Sequence, residues 1–243
     1  MTGVDGSYER DGFVVRRGVV APDELAGITA HYTERRERSA VDGWPRMLQI
    51  HLEDAFSLRL LVDRRLMGTV RELTGADVGG FQTMWYWKPP GTLGQALHQD
   101  EFYVRSVGGP CVAAWLALDV TDDDNGGLRV VPGSHRTPVQ RPHAADPAVS
   151  TSRHEVDVPP GLDVTPVEMA AGDVLFFDGR LIHGSLPNRS PDRWRRTFIA
   201  HYLPATATAC AEGYTRLFDG DGGATDIDAH PDDEDEQPPT TER

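Results

Sequence analysis

The sequence is short of three things, and each shortage closes off a class of protein. It has two cysteines, Cys111 and Cys210, in 243 residues. That is too few for a disulfide scaffold and suits a reducing compartment. It has no apolar run near the roughly 18 residues that cross a bilayer, so no membrane association is expected. The opening residues, MTGVDGSYERDGF, hold no basic stretch leading into an apolar one, so no secretory signal is expected and a cytoplasmic location is the default. Positive charge is the third shortage: 24 Lys and Arg face 38 Asp and Glu, a net charge of −14. Ten of the acids fall after residue 218 beside a single arginine, which leaves the first 218 residues with 28 acidic and 23 basic groups, net −5. A body of that sign lacks the basic footprint that a nucleic-acid partner requires. Lys88 is the sole lysine, a bias expected of a GC-rich, bacterial coding sequence.

What remains is an ordinary globular composition, long enough for one domain with a sizeable core. We expect a single domain over 1–218 and a disordered acidic tail over 219–243. Phe13-Val14-Val15 reads as a strand. Pro22-Asp23-Glu24 opens a helix that runs to about Arg38, with proline and acids in its first turn. Leu58, Leu61, Leu66, Val70 and Leu73 recur at helical steps, predicting a second helix from about 55 to 73 that ends at Thr74-Gly75. From Gly80 onward short apolar runs alternate with Gly, Pro, Asn and Asp. They predict strands near 81–88, 96–104, 111–120, 127–131, 164–168, 173–177, 180–185 and 194–203, hence an all-β sandwich or barrel. The stretch 133–162 reads as a long loop, a lid or a disordered segment. Its histidines, His135, His143 and His154, read as solvated.

His98-Gln99-Asp100 falls in a predicted strand, where positions i and i+2 share a face. A histidine and a carboxylate side by side, joined by one distant histidine, make the facial triad of non-haem iron(II) oxygenases. The spacing alone decides nothing, because it recurs at His230-Pro231-Asp232 and, with glutamate, at His51-Leu52-Glu53. Context separates them. The run 172–185 supplies a Gly-Asp turn, a strand, a tight turn and a short strand holding His183, and Arg195 follows twelve residues later. A planar guanidinium there can pair bidentately with the remote carboxylate of a dicarboxylic keto acid, and Ser185 can add a hydroxyl. Arg196 adjoins it, so a one-residue shift would hand the role to the neighbour. If Arg195 points inward, so do Thr197, Ile199 and His201. Trp85 and Trp87 alternate with Met84 and Tyr86; one pair belongs to the core and the Met84 pair faces the cavity. Gln82 shares the Met84 face, and Phe102 and Tyr103 follow the metal segment; these and His201 are the candidate substrate contacts. Cys111 reads as a small buried residue, and Cys210 as lying past the core.

The order of these pieces resembles the phytanoyl-CoA dioxygenase family of 2-oxoglutarate-dependent oxygenases. The matching residues are Asp11-Gly12-Phe13-Val14-Val15, Trp87-Lys88-Pro89-Pro90, Leu97-His98-Gln99-Asp100, Trp115, Asn125-Gly126-Gly127-Leu128, Val131-Pro132-Gly133-Ser134-His135, His183-Gly184-Ser185 and Arg195, spread over roughly residues 8–203. The resemblance implies a mainly β fold, a double-stranded β-helix (jelly roll, cupin-like) with flanking N-terminal α-helices. It implies iron(II) on His98, Asp100 and His183, and 2-oxoglutarate on Arg195 and Ser185, with Met84 and Trp115 lining its pocket. Arg46 or Gln49 would be the upstream polar residue that some members send to the keto acid. The expected reaction consumes O2 and 2-oxoglutarate, releases succinate and carbon dioxide, and oxidises a small-molecule substrate, as tailoring hydroxylases of bacterial secondary metabolism do. Asp100 fills the position that halogenases of this type leave to Ala or Gly, so hydroxylation is expected over chlorination. Two alternatives compete: a cupin-like metalloenzyme that does not use 2-oxoglutarate, and a non-catalytic jelly-roll binding protein.

Overall fold

The strand at Phe13 and the helix opening at Pro22 form where they are expected. The computed structural model describes residues 5–38 and 46–230. Its helices are α1 (Tyr8–Asp11), α2 (Pro22–Arg38), α3 (Ala55–Leu61), α4 (Arg64–Thr74) and α5 (Asp100–Val104). Its strands begin with β1 (Phe13–Arg16), β2 (Arg46–Leu48), β3 (Val78–Lys88), β4 (Gln95–His98), β5 (Val112–Ala117), β6 (Leu128–Val130), β7 (His143–Ala144) and β8 (His154–Glu155). They continue with β9 (Thr165–Val167), β10 (Val174–Asp178), β11 (His183–Ser185), β12 (Arg195–Pro204), β13 (Ala209–Cys210), β14 (Arg216–Phe218), β15 (Ala224–Asp226) and β16 (Asp228–Ala229). The helix expected over 55–73 is two helices. Asp54 caps α3 by accepting from Ser57 N, and Asp63 interrupts the run and caps α4 by accepting from Arg65 N; a side-chain acceptor there starts a new helix instead of extending the old one.

The strands form an eight-stranded sheet, ordered β1-β10-β5-β12-β3-β14-β15 with β2 beside β3, and a four-stranded sheet, β4-β11-β6-β9. Alternation along the central strands sorts side chains onto two faces. Val112, Ala114 and Leu116 of β5, Phe198, Ala200 and Tyr202 of β12, and Trp85 and Trp87 of β3 join one apolar layer with α2, α3 and α4. Tyr32 of α2 stacks on Trp85 at 3.9 Å between ring centres, and its hydroxyl bonds Ser57 Oγ at 2.7 Å. Ala113, Trp115, Leu175, Phe177 and Ile199 take the opposite face and meet Leu128, Val130 and Val167 of the small sheet. Two sheets enclosing a core, with helices on the outer face of one, is the expected jelly roll. A third cluster around Phe81, Val104, Cys111, Leu203 and Cys210 closes one end, so Cys210 is buried in a packed core and does not lie beyond it. Among the described residues no helix is long and apolar enough to cross a membrane.

Other expectations also need correction. The strand expected over 96–104 stops at His98 and gives way to α5. The 133–162 stretch is ordered: Ser134–Arg136 forms a 3-10 turn, β7 pairs β8, and Thr151 N donates to Gly94 O at 2.8 Å, docking the segment beside β4. His135 is buried there, not solvated. Residues 219–230, expected to be disordered tail, contain β15 and β16, with β15 paired to β14 and β16 to β13; 231–243 lie outside the described residues.

Candidate functional site

His98 ends β4 and His183 opens β11, and the two are direct cross-strand partners with ring centres 4.2 Å apart. Gln99 is extended (φ −121°, ψ 124°), so His98 and Asp100 keep the same-face relation although the strand has ended. The reason it ends is local. No β11 residue lies beyond His183 to pair with, and the Gln99 side chain is drawn away, donating to Arg180 O at 2.7 Å and accepting from Gln140 N at 2.8 Å. Glu101 N and Gly179 O then join the α5 segment to the turn before β11 at 2.9 Å, and Gly179 N donates to Cys111 O at 2.7 Å. A Cβ at Gly179 would overlap Cys111 Sγ, so only glycine fits that junction.

His98, Asp100 and His183 thereby offer donor atoms that all lie within 4.8 Å of one another. Asp100 Oδ1 is 3.5 Å from His98 Nε2, and Oδ2 is 3.7 Å from His183 Nε2. Both rings donate through Nδ1 to backbone carbonyls, His98 to Ala96 O at 2.9 Å and His183 to Leu181 O at 3.0 Å. That fixes the tautomer with each Nε2 lone pair turned inward, the outer-shell arrangement that a divalent transition metal requires of its histidines. Burial works against ionising Asp100, but the rings of His183, His201 and His98 outweigh it and hold its pKa well below the usual carboxylate range. Burial, helped by His98, pulls His183 down to about 4, which keeps it neutral and ready to ligate near neutral pH.

The cluster opens onto a cavity of about 400 Å³. Met84, Trp115, Gln82, Tyr103 and His201 line it as expected. Phe102 does not; it packs edge-on against Tyr103. Behind Trp115, whose ring centre lies 5.6 Å from the guanidinium carbon, Arg195 is buried. Of the two neighbouring arginines, Arg195 is the one turned inward; Arg196 turns outward and binds Asp119 through two hydrogen bonds of 2.6 and 2.9 Å. Ser185 is also buried, and its Oγ accepts from Lys88 Nζ at 2.9 Å. Lys88 is the cross-strand neighbour of Arg195 and is buried with it. Among the described residues no carboxylate lies within 4.0 Å of either cation. Burial, then repulsion from Arg195, drives the Lys88 pKa well below its ordinary value, and burial brings Arg195 down to about 10. Two buried like charges with no counter-ion are costly; an anion placed between them would relieve both.

Sequence reasoning missed several participants. Lys88 was visible as the only lysine, but its burial depends on a partner 107 residues away. Gln95, whose Nε2 is 3.2 Å from His98 Nε2, follows from the register Ser185–Gln95. Thr151 to His154, Leu48 and Tyr214 complete the mouth, which required knowing how the long segment and the C-terminal strands fold back. Gln49 does not reach the cavity; its amide donates to Gly213 O at 2.6 Å.

The family model for phytanoyl-CoA dioxygenase matches residues 8–197. Among curated proteins, a phytanoyl-CoA dioxygenase 1 of Oryza sativa subsp. japonica is 32% identical over 45% of this chain and 40% of its own length. The peroxisomal phytanoyl-CoA dioxygenase of Rattus norvegicus is 28% identical over 80% of this chain and 66% of its own. An ectoine dioxygenase of Nocardia farcinica is 30% identical over 76% of this chain and 72% of its own. The chain therefore spans less than two thirds of the rice and rat proteins. Among solved structures, the epimerase SnoN in complex with Fe3+, alpha ketoglutarate and nogalamycin RO superposes with a TM-score of 0.71 at 25% identity, covering 83% of this chain and 82% of that one. AviO1 from Streptomyces viridochromogenes Tue57 superposes with a TM-score of 0.65 at 28% identity, covering 82% and 93%.

Proposed function

The chain belongs to the phytanoyl-CoA dioxygenase family, and on that premise we propose that it is an iron(II)- and 2-oxoglutarate-dependent oxygenase that hydroxylates a small organic molecule. One observation supports this above the rest: a His–Asp–His donor cluster lines the cavity, and a buried pair of cations, with no carboxylate within 4.0 Å among the described residues, lies behind Trp115 of the same cavity's wall. A metal alone would account for the first and not the second. A keto acid with two carboxylates accounts for both, because one end chelates metal and the other is an anion.

In this reading His98, Asp100 and His183 hold the iron, and Arg195, Lys88 and Ser185 hold the remote carboxylate of 2-oxoglutarate. Bound there, iron supplies a place for dioxygen to react with 2-oxoglutarate, giving succinate, carbon dioxide and one oxidised C–H bond in the substrate. The protein's own residues bind, orient and dry the site. The backbone-tied rings keep their Nε2 atoms fixed, Met84 and Trp115 wall the keto acid from water, and Asp100 occupies a position that leaves no ligand site for halide. Gln82 and Tyr103 present polar groups to the substrate, with Leu48, Tyr214, Arg153 and His154 around the entrance. Among the described residues Asp100 is the only acid that lines the cavity, which suits a neutral or anionic substrate. A secondary metabolite fits this description, as SnoN, at 25% identity, binds nogalamycin RO.

The test is to supply purified protein with iron(II), 2-oxoglutarate, air and a panel of neutral and anionic metabolites. Substrate-dependent succinate and a product heavier by one oxygen are expected, with Asp100→Ala reduced to background. Full turnover by Asp100→Ala, or no succinate with any substrate, would sink the proposal.

A further inference from the structure

His201 was expected to meet substrate, but neither of its nitrogens is free to do so. Nε2 lies 3.3 Å from Asp100 Oδ2. Nδ1 is buried and has no partner among the described residues. The side chain as a whole is 3% exposed, and His201 stands outside the set of mutually close donor atoms formed by His98, Asp100 and His183. It is therefore neither an accessible contact nor a fourth member of the cluster.

Its position is set from three sides. Alternation along β12 carries it inward in phase with Arg195, Thr197 and Ile199. Ala113 of β5 is its neighbour on one side, small enough to leave room for an imidazole. Gln82 of β3 is its neighbour on the other, and there the pairing slips: His201 opposes Gln82 but Tyr202 opposes Gly80. The skipped residue, Phe81, swings into the end cluster and brings its ring to 6.0 Å from the His201 ring. A bulge of this kind re-aims side chains beside active sites. Here it confines the ring so that a single atom, Nε2, faces a single acceptor, Asp100 Oδ2. A proton on Nδ1 would be buried without an acceptor, so the ring is held as the tautomer that donates from Nε2.

We infer that His201 is a positioning residue: its Nε2–H holds one oxygen of Asp100 and so sets the rotation of that carboxylate before a metal arrives. Asp100 needs such a brace more than the histidines do. Their rings are tied by Nδ1 bonds to β4 and to the turn before β11, whereas Asp100 sits on the first turn of the five-residue α5, and the protein contacts shown for its carboxylate are the three imidazoles. Two of those imidazoles are themselves ligands in the reading above, which leaves His201 as the support that stays in place when metal is bound. The inference rests on that reading of His98, Asp100 and His183 as metal ligands.

The experiment uses cobalt(II), which reports its coordination by visible absorption and needs no turnover. Full-length wild type, His201→Gln and His201→Phe are titrated under argon, and the thermal melting of each metal-free protein is recorded. Gln keeps an N–H donor at similar reach; Phe keeps the ring volume and removes the donor. Positioning predicts that Gln binds within a few-fold of wild type with the same spectrum, and that Phe binds about 10–100-fold more weakly, the usual cost of losing an outer-shell partner, with an altered spectrum and an unchanged melting temperature. A merely space-filling ring predicts the reverse order, and that result would overturn the inference. Equal, tight binding by all three would also overturn it while leaving the metal reading intact. Failure of wild type to bind cobalt would remove the metal reading, and the inference with it.

Discussion

The two faces of the large sheet are made from alternate residues of the same strands and are governed by opposite physics. On the helix-covered face of β3, Trp85 is wholly buried, stacked on Tyr32 and flanked by Trp87. On the cavity face of that strand, Gln82, Met84, Tyr86 and Lys88 alternate with them, and β12 repeats the contrast with Phe198, Ala200 and Tyr202 against Arg195, Thr197 and His201. The first face gains by removing apolar area from water, about 25 cal/mol per Å². The second holds the buried His201 and two buried cations, Arg195 and Lys88, with no carboxylate within 4.0 Å of either cation among the described residues, an arrangement that burial makes costly. Stability and chemistry are thus separated by one residue step along a strand, and substitutions on the two faces should fail differently.

The sharpest break would come from Trp85→Ala. We expect it to cost about 3–5 kcal/mol of stability by urea unfolding, the range for a buried aromatic truncated to Ala, while cobalt(II) binding at low denaturant stays near wild type. If binding falls in step with stability, the faces are not separable. Next in size is an acid effect from the outer face. His51 is buried beside Thr83, which its Nδ1 meets at 2.9 Å. Burial lowers its pKa from 6.5 to about 4. The unfolded chain therefore takes up a proton between these values that the folded chain refuses, so His51 costs nothing above pH 6.5 and removes stability as pH falls toward 4. The loss reaches up to about 3 kcal/mol. Replacing it with Phe should flatten that acid limb in metal-free protein; an unchanged limb would assign the effect to other groups. The smallest expected change is the most selective. Lys88→Met should weaken 2-oxoglutarate binding about 10–100-fold, or 1.4–2.7 kcal/mol, while thermal stability holds or rises because a buried charge is gone. A drop in melting temperature with the keto-acid affinity intact would make Lys88 a structural residue and move it to the other side of the comparison.

How much of this was legible depended on range. Period-two alternation was enough to put Trp85 and Trp87 on one face with Met84 and Tyr86 on the other, and to bring Arg195, Thr197, Ile199 and His201 inward together. The cluster of His98, Asp100 and His183 is readable because a histidine, an acid two residues on and a distant histidine on a short strand form a local pattern in a matching context. What failed was whatever required knowing a partner. The segment after His98 was read as strand because Phe102, Tyr103 and Val104 suit one, yet no β11 residue remains to pair with it and it folds as α5. Phe102 lost its assigned role through that change alone. The apolar period that predicts one helix over 55–73 runs unbroken across Asp63, whose side chain caps the start of α4. His201 was correctly turned inward, but that its one useful nitrogen meets Asp100 depends on a register slip at Phe81 that has no local signature. The order in 219–230 comes from pairing with β13 and β14, against a composition that by itself favours disorder.

The junction at Gly179 bears on when in the life of the chain a metal can be held. His98 and Asp100 lie on one side of it and His183 on the other, and the halves come into register only when Gly179 is seated against Cys111 with its carbonyl on Glu101. Until then the chain offers a two-donor fragment, a weak and indiscriminate chelator during synthesis. The ion is therefore captured by a finished protein, in contrast to small metallodomains whose ion drives their folding. On that order of events folding comes first and the metal second, so loading is a separate step that the supply of metal can control.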